Sequence, residues 1–259
     1  DAASGTGVWT DVDISAGEVL TIGATANNTA TATATNASGD SSAQAYLNES
    51  VGLQGTGVSA GSSGTITANV DGDAIASATT VGTTGATANA TAASTAGSVI
   101  GIDDVGFNGG DFIFGTTADI TTNVGTSADR VTVSATAATT TGDADANALL
   151  SSNIGINEQD SGAQIQVGTN GTIAAGAFNT TNASATTVTG TADADANITN
   201  ASGIDMATGA SLITGQAATV TGTANTSSTV VASATTGAAT ADSVLAETSG
   251  AEIGIVTAG

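Results

Sequence analysis

Apolar and polar residues alternate with a period of two along much of the chain. The pattern is clearest in four segments where Ala or Val alternates with Thr or Ser, at 29–35, 130–136, 183–189 and 229–235. Successive side chains of a β-strand point to opposite faces, so each segment predicts a strand with small apolar groups on one face and hydroxyl groups on the other. No segment carries the 3.6-residue apolar stripe of a helix, and abundant Thr, Ser and Gly disfavour helix. The pattern predicts an all-β fold.

Glycines flanked by Val, Ile or Leu recur about every 50 residues. The signatures are Gly7-Val8, Val51-Gly52-Leu53, Ile100-Gly101-Ile102, Ile154-Gly155-Ile156, Gly203-Ile204 and Ile253-Gly254-Ile255. Self-similarity at a fixed period indicates a repeat architecture. We therefore predict one array over residues 1–259. Its repeats lie at approximately 1–50, 51–99, 100–152, 153–201 and 202–252, with 253–259 opening a sixth.

The repeats predict a β-solenoid, or β-helix, of about five units of about 50 residues. We expect each unit to make two coils of about 25 residues. A series of tandem β-sandwich-like units is the alternative, because stacked hairpins give the same alternation.

The composition limits how such a fold can be packed. There are only four Phe, one Tyr and one Trp, so the core must be thin and made of Ala, Val, Ile and Leu. Low hydrophobic bulk and a net charge of −22 are also found in disordered chains. The mean hydropathy of +0.21 and the recurrence of large apolar residues at fixed places in each repeat favour a folded chain.

The charge and the apolar runs restrict the partners. A chain this acidic is repelled by nucleic acid and by anionic lipid. It has no apolar run of 18 or more residues, so no membrane span is predicted. Copies of itself are the expected partner, giving a homopolymer. The absence of Cys excludes disulfides and thiolate chemistry.

Catalytic groups are scarce. The chain has no His, no Cys and a single basic residue, Arg130, which leaves paired carboxylates as the remaining acid and base. Asp103 and Asp104 are one such pair. Sugar-cleaving sites built on carboxylates also need aromatic and basic residues, which this chain lacks. We expect no enzyme activity, no catalytic residues and no organic cofactor.

One motif occurs twice, 50 residues apart. Its residues are Asp143, Asp145 and Asn147 in the first copy and Asp193, Asp195 and Asn197 in the second. In a strand these side chains share one face, and in a stack the two sets are expected to lie in register. Hard oxygen ligands at this density predict a calcium site. A solvated acidic face is the alternative.

Three further surface features bear on partners. Arg130 follows Asp129 and is expected to pair with a nearby carboxylate. The alternating Thr residues of 29–35 suggest an ice-binding face, although the matching segments mix in Val, Ser and Asn. Glycans are predicted on Asn-x-Ser/Thr sequons. The sequons begin at Asn27, Asn36, Asn48, Asn89, Asn170, Asn179, Asn182, Asn197, Asn200 and Asn225.

The Ala-, Thr- and Gly-rich, Lys-free, acidic repeat resembles bacterial or archaeal surface-layer proteins, giant repeat adhesins and secreted filament subunits. That resemblance is compositional and implies a secreted or cell-surface location. Because the sequence opens at Asp1 and its last repeat is cut short, we predict that the stack continues beyond each end. The predicted function is an extracellular structural protein that assembles head to tail into a filament or surface coat. The alternatives are a stalk segment of a repeat adhesin and an ice-binding protein.

Overall fold

Three parallel sheets make up the computed structural model. It describes residues 2–9, 14–55, 57–82, 85–94, 99–104, 111–245 and 255–257. Sheet A contains β1 (Ala2–Trp9), β4 (Ser41–Gln54), β7 (Ala88–Ser94), β8 (Val99–Asp104), β12 (Ala144–Leu150), β13 (Asn153–Glu158), β16 (Ala192–Ile198), β17 (Ala201–Met206), β20 (Ala239–Leu245) and β21 (Ile255–Thr257). Sheet B contains β2 (Ile14–Ala16), β5 (Val58–Ala60), β9 (Phe112–Phe114), β14 (Gln164–Val167) and β18 (Ser211–Thr214). Sheet C contains β3 (Val19–Asn36), β6 (Ser63–Thr80), β10 (Thr117–Val124), β11 (Val131–Thr141), β15 (Asn170–Thr189) and β19 (Thr219–Thr236).

Neighbouring strands pair in parallel with a strand one repeat away. Paired residues are separated by between 44 positions, for Val19 and Ser63, and 59 positions, for Asp73 and Thr132. Between two partners the chain passes once through sheets A, B and C. The all-β prediction is confirmed, whereas the expectation of two 25-residue coils per repeat is wrong. Tandem hairpins would give antiparallel neighbours, unlike the pairing found.

The glycine signatures form a row across sheet A. Their apolar neighbours are register partners, since Val8 pairs with Leu53, Leu53 with Ile102, and the row continues through Ile156 and Ile204 to Ile255. Sheet C approaches this row closely. A Cβ on Gly101 would lie 2.4 Å from the carbonyl oxygen of Gly155 and 2.8 Å from Cβ of Thr122. Side chains other than hydrogen do not fit there, which explains why this signature recurs.

Two cores flank the glycine row. On one side, Ala and Val of sheet A face Ala and Val of sheet C, with Ala45, Ala76 and Ala146 at most 1% exposed. On the other side, sheet B closes a thicker core that contains Ile66, Phe114 and other large side chains. The small residues let two sheets lie close together, as the composition predicts.

Short turns join sheet C to sheet A at the thin end. Gly142 and Gly190 adopt φ values of 121° and 134°, a region that L-residues with a Cβ rarely enter. A Cβ on Gly190 would also lie 2.1 Å from the carbonyl oxygen of Gly142. These glycines turn the chain back on itself, so the end of one sheet C strand packs on the start of the next sheet A strand.

Candidate functional site

Apart from Asp143, the residues of the two acidic motifs lie on the outer face of sheet A, on β12 and β16. They are not in the predicted register, because the strands pair with an offset of 48 residues. Asp145 is the partner of Asp193, and Asn147 is the partner of Asp195. Asn197 lies beside Leu149. The slip of two residues keeps the acidic side chains on one face but separates the identical positions.

Asp143 lies outside this set. It precedes β12, and its Oδ1 accepts hydrogen bonds from the backbone N of Thr191, at 2.9 Å, and from the Thr191 hydroxyl. The hydroxyl and backbone bonds from Thr191 lower the pKa of Asp143. Asp143 therefore joins two successive turns between sheets C and A.

Burial and repulsion between carboxylates both act on the aspartates of β12 and β16. Burial raises the pKa of Asp145, and the charge of Asp193 raises it further. For Asp195, burial raises the pKa most, followed by the charges of Asp193, Asp242 and Asp145. Direct strand partners lie about 5 Å apart, so the carboxylates are closer than two intervening coils would have placed them.

The acidic side chains of β12 and β16 do not surround a common point. Within the described part of the chain, no three side chains of the types His, Cys, Asp or Glu converge as metal ligands would. Asp145 and Asp193 thus form a pair on a flat face and not a cage. Calcium at Asp143, Asp145, Asn147, Asp193, Asp195 and Asn197 stays a prediction.

A second acidic group surrounds the loop between β10 and β11. Burial raises the pKa of Asp71, and the charges of Asp73 and Asp129 raise it further, while the backbone bond from Gly72 opposes them. Burial likewise raises the pKa of Asp73. Asp71 and Asp129 line a cleft of about 180 Å³ together with the amide side chains of Asn27, Asn69 and Asn123.

Arg130 closes the same loop but binds away from the carboxylates. Its Nη1 donates to the backbone oxygens of Asn179, at 3.1 Å, and Asn225, at 3.0 Å. Its Nη2 donates to Oδ1 of Asn225 at 2.9 Å. In place of the expected carboxylate partner, Arg130 ties β11 to two successive strands, β15 and β19.

The Asp103 and Asp104 pair is only partly described. Asp103 is 3% exposed and accepts a hydrogen bond from Asn157. The side chain of Asp104 lies outside the described residues.

Sequons differ in exposure. Asn27, Asn48, Asn89, Asn170 and Asn225 are exposed on strands. Asn179 has no exposed surface. A glycan on Asn179 would not fit the folded chain, because its amide side chain is fully buried, and glycans at the other sequons stay a prediction.

The outer face of sheet C carries the Thr residues of segment 29–35, which suggested an ice-binding face. Thr31 begins a row that continues through Ile75, Ser134, Asn182 and Thr229. The hydroxyl lattice is interrupted within this row, as the sequence indicated.

Both ends of the stacked sheets leave core residues uncovered. Leu150, Ile198 and Leu245 are successive members of one row in sheet A, and their exposed fractions are 0%, 3% and 60%. At the other end, Ala32 and Ala34 of β3 are half-buried, whereas their partners Ala76 and Ala78 are buried. These two ends are apolar surfaces with strand edges.

No protein-family model, curated protein or solved structure matches the chain. The described residues contain no helix that could cross a membrane.

Sequence reasoning missed the approach of Asp129 to Asp71 and the partners of Arg130. The available signal was a break in alternation between Val124 and Val131. On β6 only residues 71 and 72 lie between the partners of Val124 and Thr132, opposite seven residues, so the loop leaves the sheet.

Proposed function

We propose that the chain is a β-solenoid of about five repeats that assembles head to tail into an extracellular filament or surface coat. The observation that carries the proposal is the pair of uncovered ends. Strand edges with apolar side chains readily pair with another chain. The extracellular location rests on the compositional resemblance to secreted and surface proteins.

The two end strands of sheet C are chemically alike. β3 and β19 are each 18 residues long, and both alternate outward Thr or Ser with inward small residues over much of their length. Val230, Ala232 and Ala234 of β19 are half-buried against the Ala-rich core. A copy placed on β19 would cover them and extend the same core.

Net charge favours growth along the stacking direction. With 23 acidic residues and one basic residue, the sides of two stacks repel each other. The ends instead present Ala, Val and Leu. Copies therefore add at the ends, and the filament stays one solenoid wide.

Electron microscopy of the purified chain tests the proposal. Sheet C has five layers along the stacking direction, because β10 and β11 share one layer between β6 and β15. Layers about 4.8 Å apart give an axial rise of about 24 Å per subunit. Filaments with this repeat are expected. A monodisperse monomer at all concentrations and salt conditions would overturn the proposal, and a rigid monomeric rod would support the adhesin stalk instead.

A matched pair of variants tests the role of the exposed end. Val230→Asp places a charge among the inward residues of β19 and should abolish filaments. Val231→Asp adds the same charge to the outward face, where Val231 is 48% exposed, and should leave filaments intact. Circular dichroism of both variants checks that the β-structure is retained. Equal assembly of the two variants contradicts a junction at β19.

A further inference from the structure

A strand position is vacant at one end of sheet A. β4 pairs with β7 through residues 41–47, and β1 covers the opposite edge only from Tyr46 onward. Among the described residues, no strand lies beside the first five positions of β4. The inward side chains of this segment, including Ala43 and Ala45, are nevertheless buried in the core.

A strand without a second neighbour lies at the other end. β20 pairs with β16 on one edge, and its seven residues are all exposed. No described strand occupies its other edge. β20 is therefore long enough to span the five positions of β4 that have no second neighbour.

We propose that residues 239–243 of β20 of one copy occupy the vacant position beside residues 41–45 of β4 of the next copy. This inference rests on the proposed head-to-tail assembly and specifies its junction. Ser41 and Ala239 are the first and last members of one row, which runs through Ala88, Ala144 and Ala192. Extending that row places Ala239 beside Ser41 of the next copy, an offset of 198 positions.

Sheet C gives the same offset independently. The row of Ile22 runs through Ile66, Ile120 and Ile173 to Val220. Extending it places Val220 beside Ile22 of the next copy, which is again an offset of 198 positions. One placement of the second copy therefore pairs β20 with β4 and β19 with β3 together.

The side chains at this junction are compatible. Inward-facing Ala241 and Ser243 would lie beside Ala43 and Ala45, so small side chains continue the Ala-rich core. On the outer face, Asp242 would lie beside Gln44, so the acidic row through Asp195 and Asp242 ends against a neutral amide. A junction that placed two carboxylates side by side would cost free energy by repulsion.

The junction is a composite turn made by two copies. Residues 239–243 of the first copy provide the start of the sheet A strand in this turn, and β1 of the second copy provides the remainder. Val244 and Leu245 do not pair with the second copy, because Ala2 and Ala3 already lie beside Tyr46 and Leu47. β21 cannot keep its place in sheet A. Ile255 pairs with Ile204, and continuing this row into the next copy would put Val8 of that copy beside Ile204 as well. In the assembled stack, β1 of the second copy takes this place and displaces β21.

Cysteine cross-linking tests the register, and the natural chain contains no Cys. Thr240 would lie beside Ser42, and direct partners in parallel strands have Cα atoms within disulfide range. Mixing Ser42→Cys with Thr240→Cys under mild oxidation should give a disulfide-linked dimer containing one of each variant. Ser42→Cys mixed with Val244→Cys is the control, because these positions are about 13 Å out of register.

The outcomes separate this inference from the proposed function. Filaments in which the 42–240 pair fails to cross-link, or cross-links no better than the 42–244 pair, overturn the β20 junction and leave head-to-tail assembly standing. Absence of filaments in the unmodified chain overturns both. A chain ending at Leu245 should assemble at least as readily as the full chain, and loss of its filaments would contradict the displacement of β21.

Discussion

Asn157 donates a hydrogen bond from Nδ2 to Oδ1 of Asp103, at 2.8 Å, and the two residues are register partners on β13 and β8. Asp103 is 3% exposed. Burial raises its pKa from 3.8 to about 6, the bond from Asn157 lowers it, and the charge of Glu49 raises it. The bond only partly offsets the cost of burying this carboxylate.

Stability should fall as the pH rises through the weakly acidic range. The pKa of Asp103 is higher in the folded chain than in the unfolded chain, so the folded state retains the proton between pH 3.8 and about 6. The resulting penalty is absent below pH 3.8 and fully present above about pH 6, where it amounts to about 3 kcal/mol. Urea denaturation at pH 4 and pH 7 measures it.

Asp103→Asn should remove this part of the pH dependence and stabilise the chain at pH 7. An amide at this position can still accept the bond from Asn157. Asp119→Asn removes a charge from an exposed position on β10 and serves as the control. Equal pH dependence in the Asp103→Asn variant and the natural chain would contradict the assignment.

The glycine row should tolerate no side chain. Gly101→Ala puts a Cβ 2.4 Å from the Gly155 carbonyl oxygen, and we expect a loss of about 3 kcal/mol or more in the free energy of unfolding. Gly23→Ala is the matched control in a strand, because its Cβ meets nothing within 4 Å. Thermal denaturation of the two variants should differ strongly, and equal stability would refute the close approach of sheets A and C.

Removal of the single basic residue should destabilise the middle of the stack. Arg130→Met loses three charge-assisted hydrogen bonds to Asn179 and Asn225, and we expect a cost of about 2 kcal/mol. Arg130→Lys keeps the charge but not the planar fork, so its cost should be intermediate. Urea denaturation measures both, and a Met variant as stable as the natural chain would show that these bonds contribute nothing.

Replacing Asp193 should affect the stability of the chain in opposite directions with and without a bound cation. Without calcium, Asp193→Asn relieves repulsion on Asp145 and Asp195 and should stabilise the chain by at most about 1 kcal/mol. If calcium binds, millimolar calcium raises the melting temperature of the natural chain more than that of the variant, and a chelator reverses the gain. Identical melting curves with calcium and chelator would contradict the calcium prediction.

Much of the fold follows from local pattern. Alternation gives strands, and the flanked glycines identify a register that sheet A reproduces from Val8 to Ile255. The number of turns per repeat does not follow, because alternation describes each strand but not how many strands return to the same sheet.

The candidate sites depended on details that pattern does not encode. The offset of 48 between β12 and β16 is already present where Thr141 pairs with Thr189, and the connections that follow are of equal length. The 50-residue spacing of the two Asp motifs therefore predicted the wrong register. Arg130 finds partners 49 and 95 residues away because the stacking of β11, β15 and β19 brings distant parts of the chain together.

The parallel pairing also determines how the chain would bear a load. Hydrogen bonds between neighbouring strands point along the stacking direction, so tension on a filament pulls along these bonds. The ladder of a whole turn, about 30 residues in three sheets, then resists the force together, and the weakest layer sets the breaking force. We expect rupture at the composite turn between copies, where two chains meet without a covalent link.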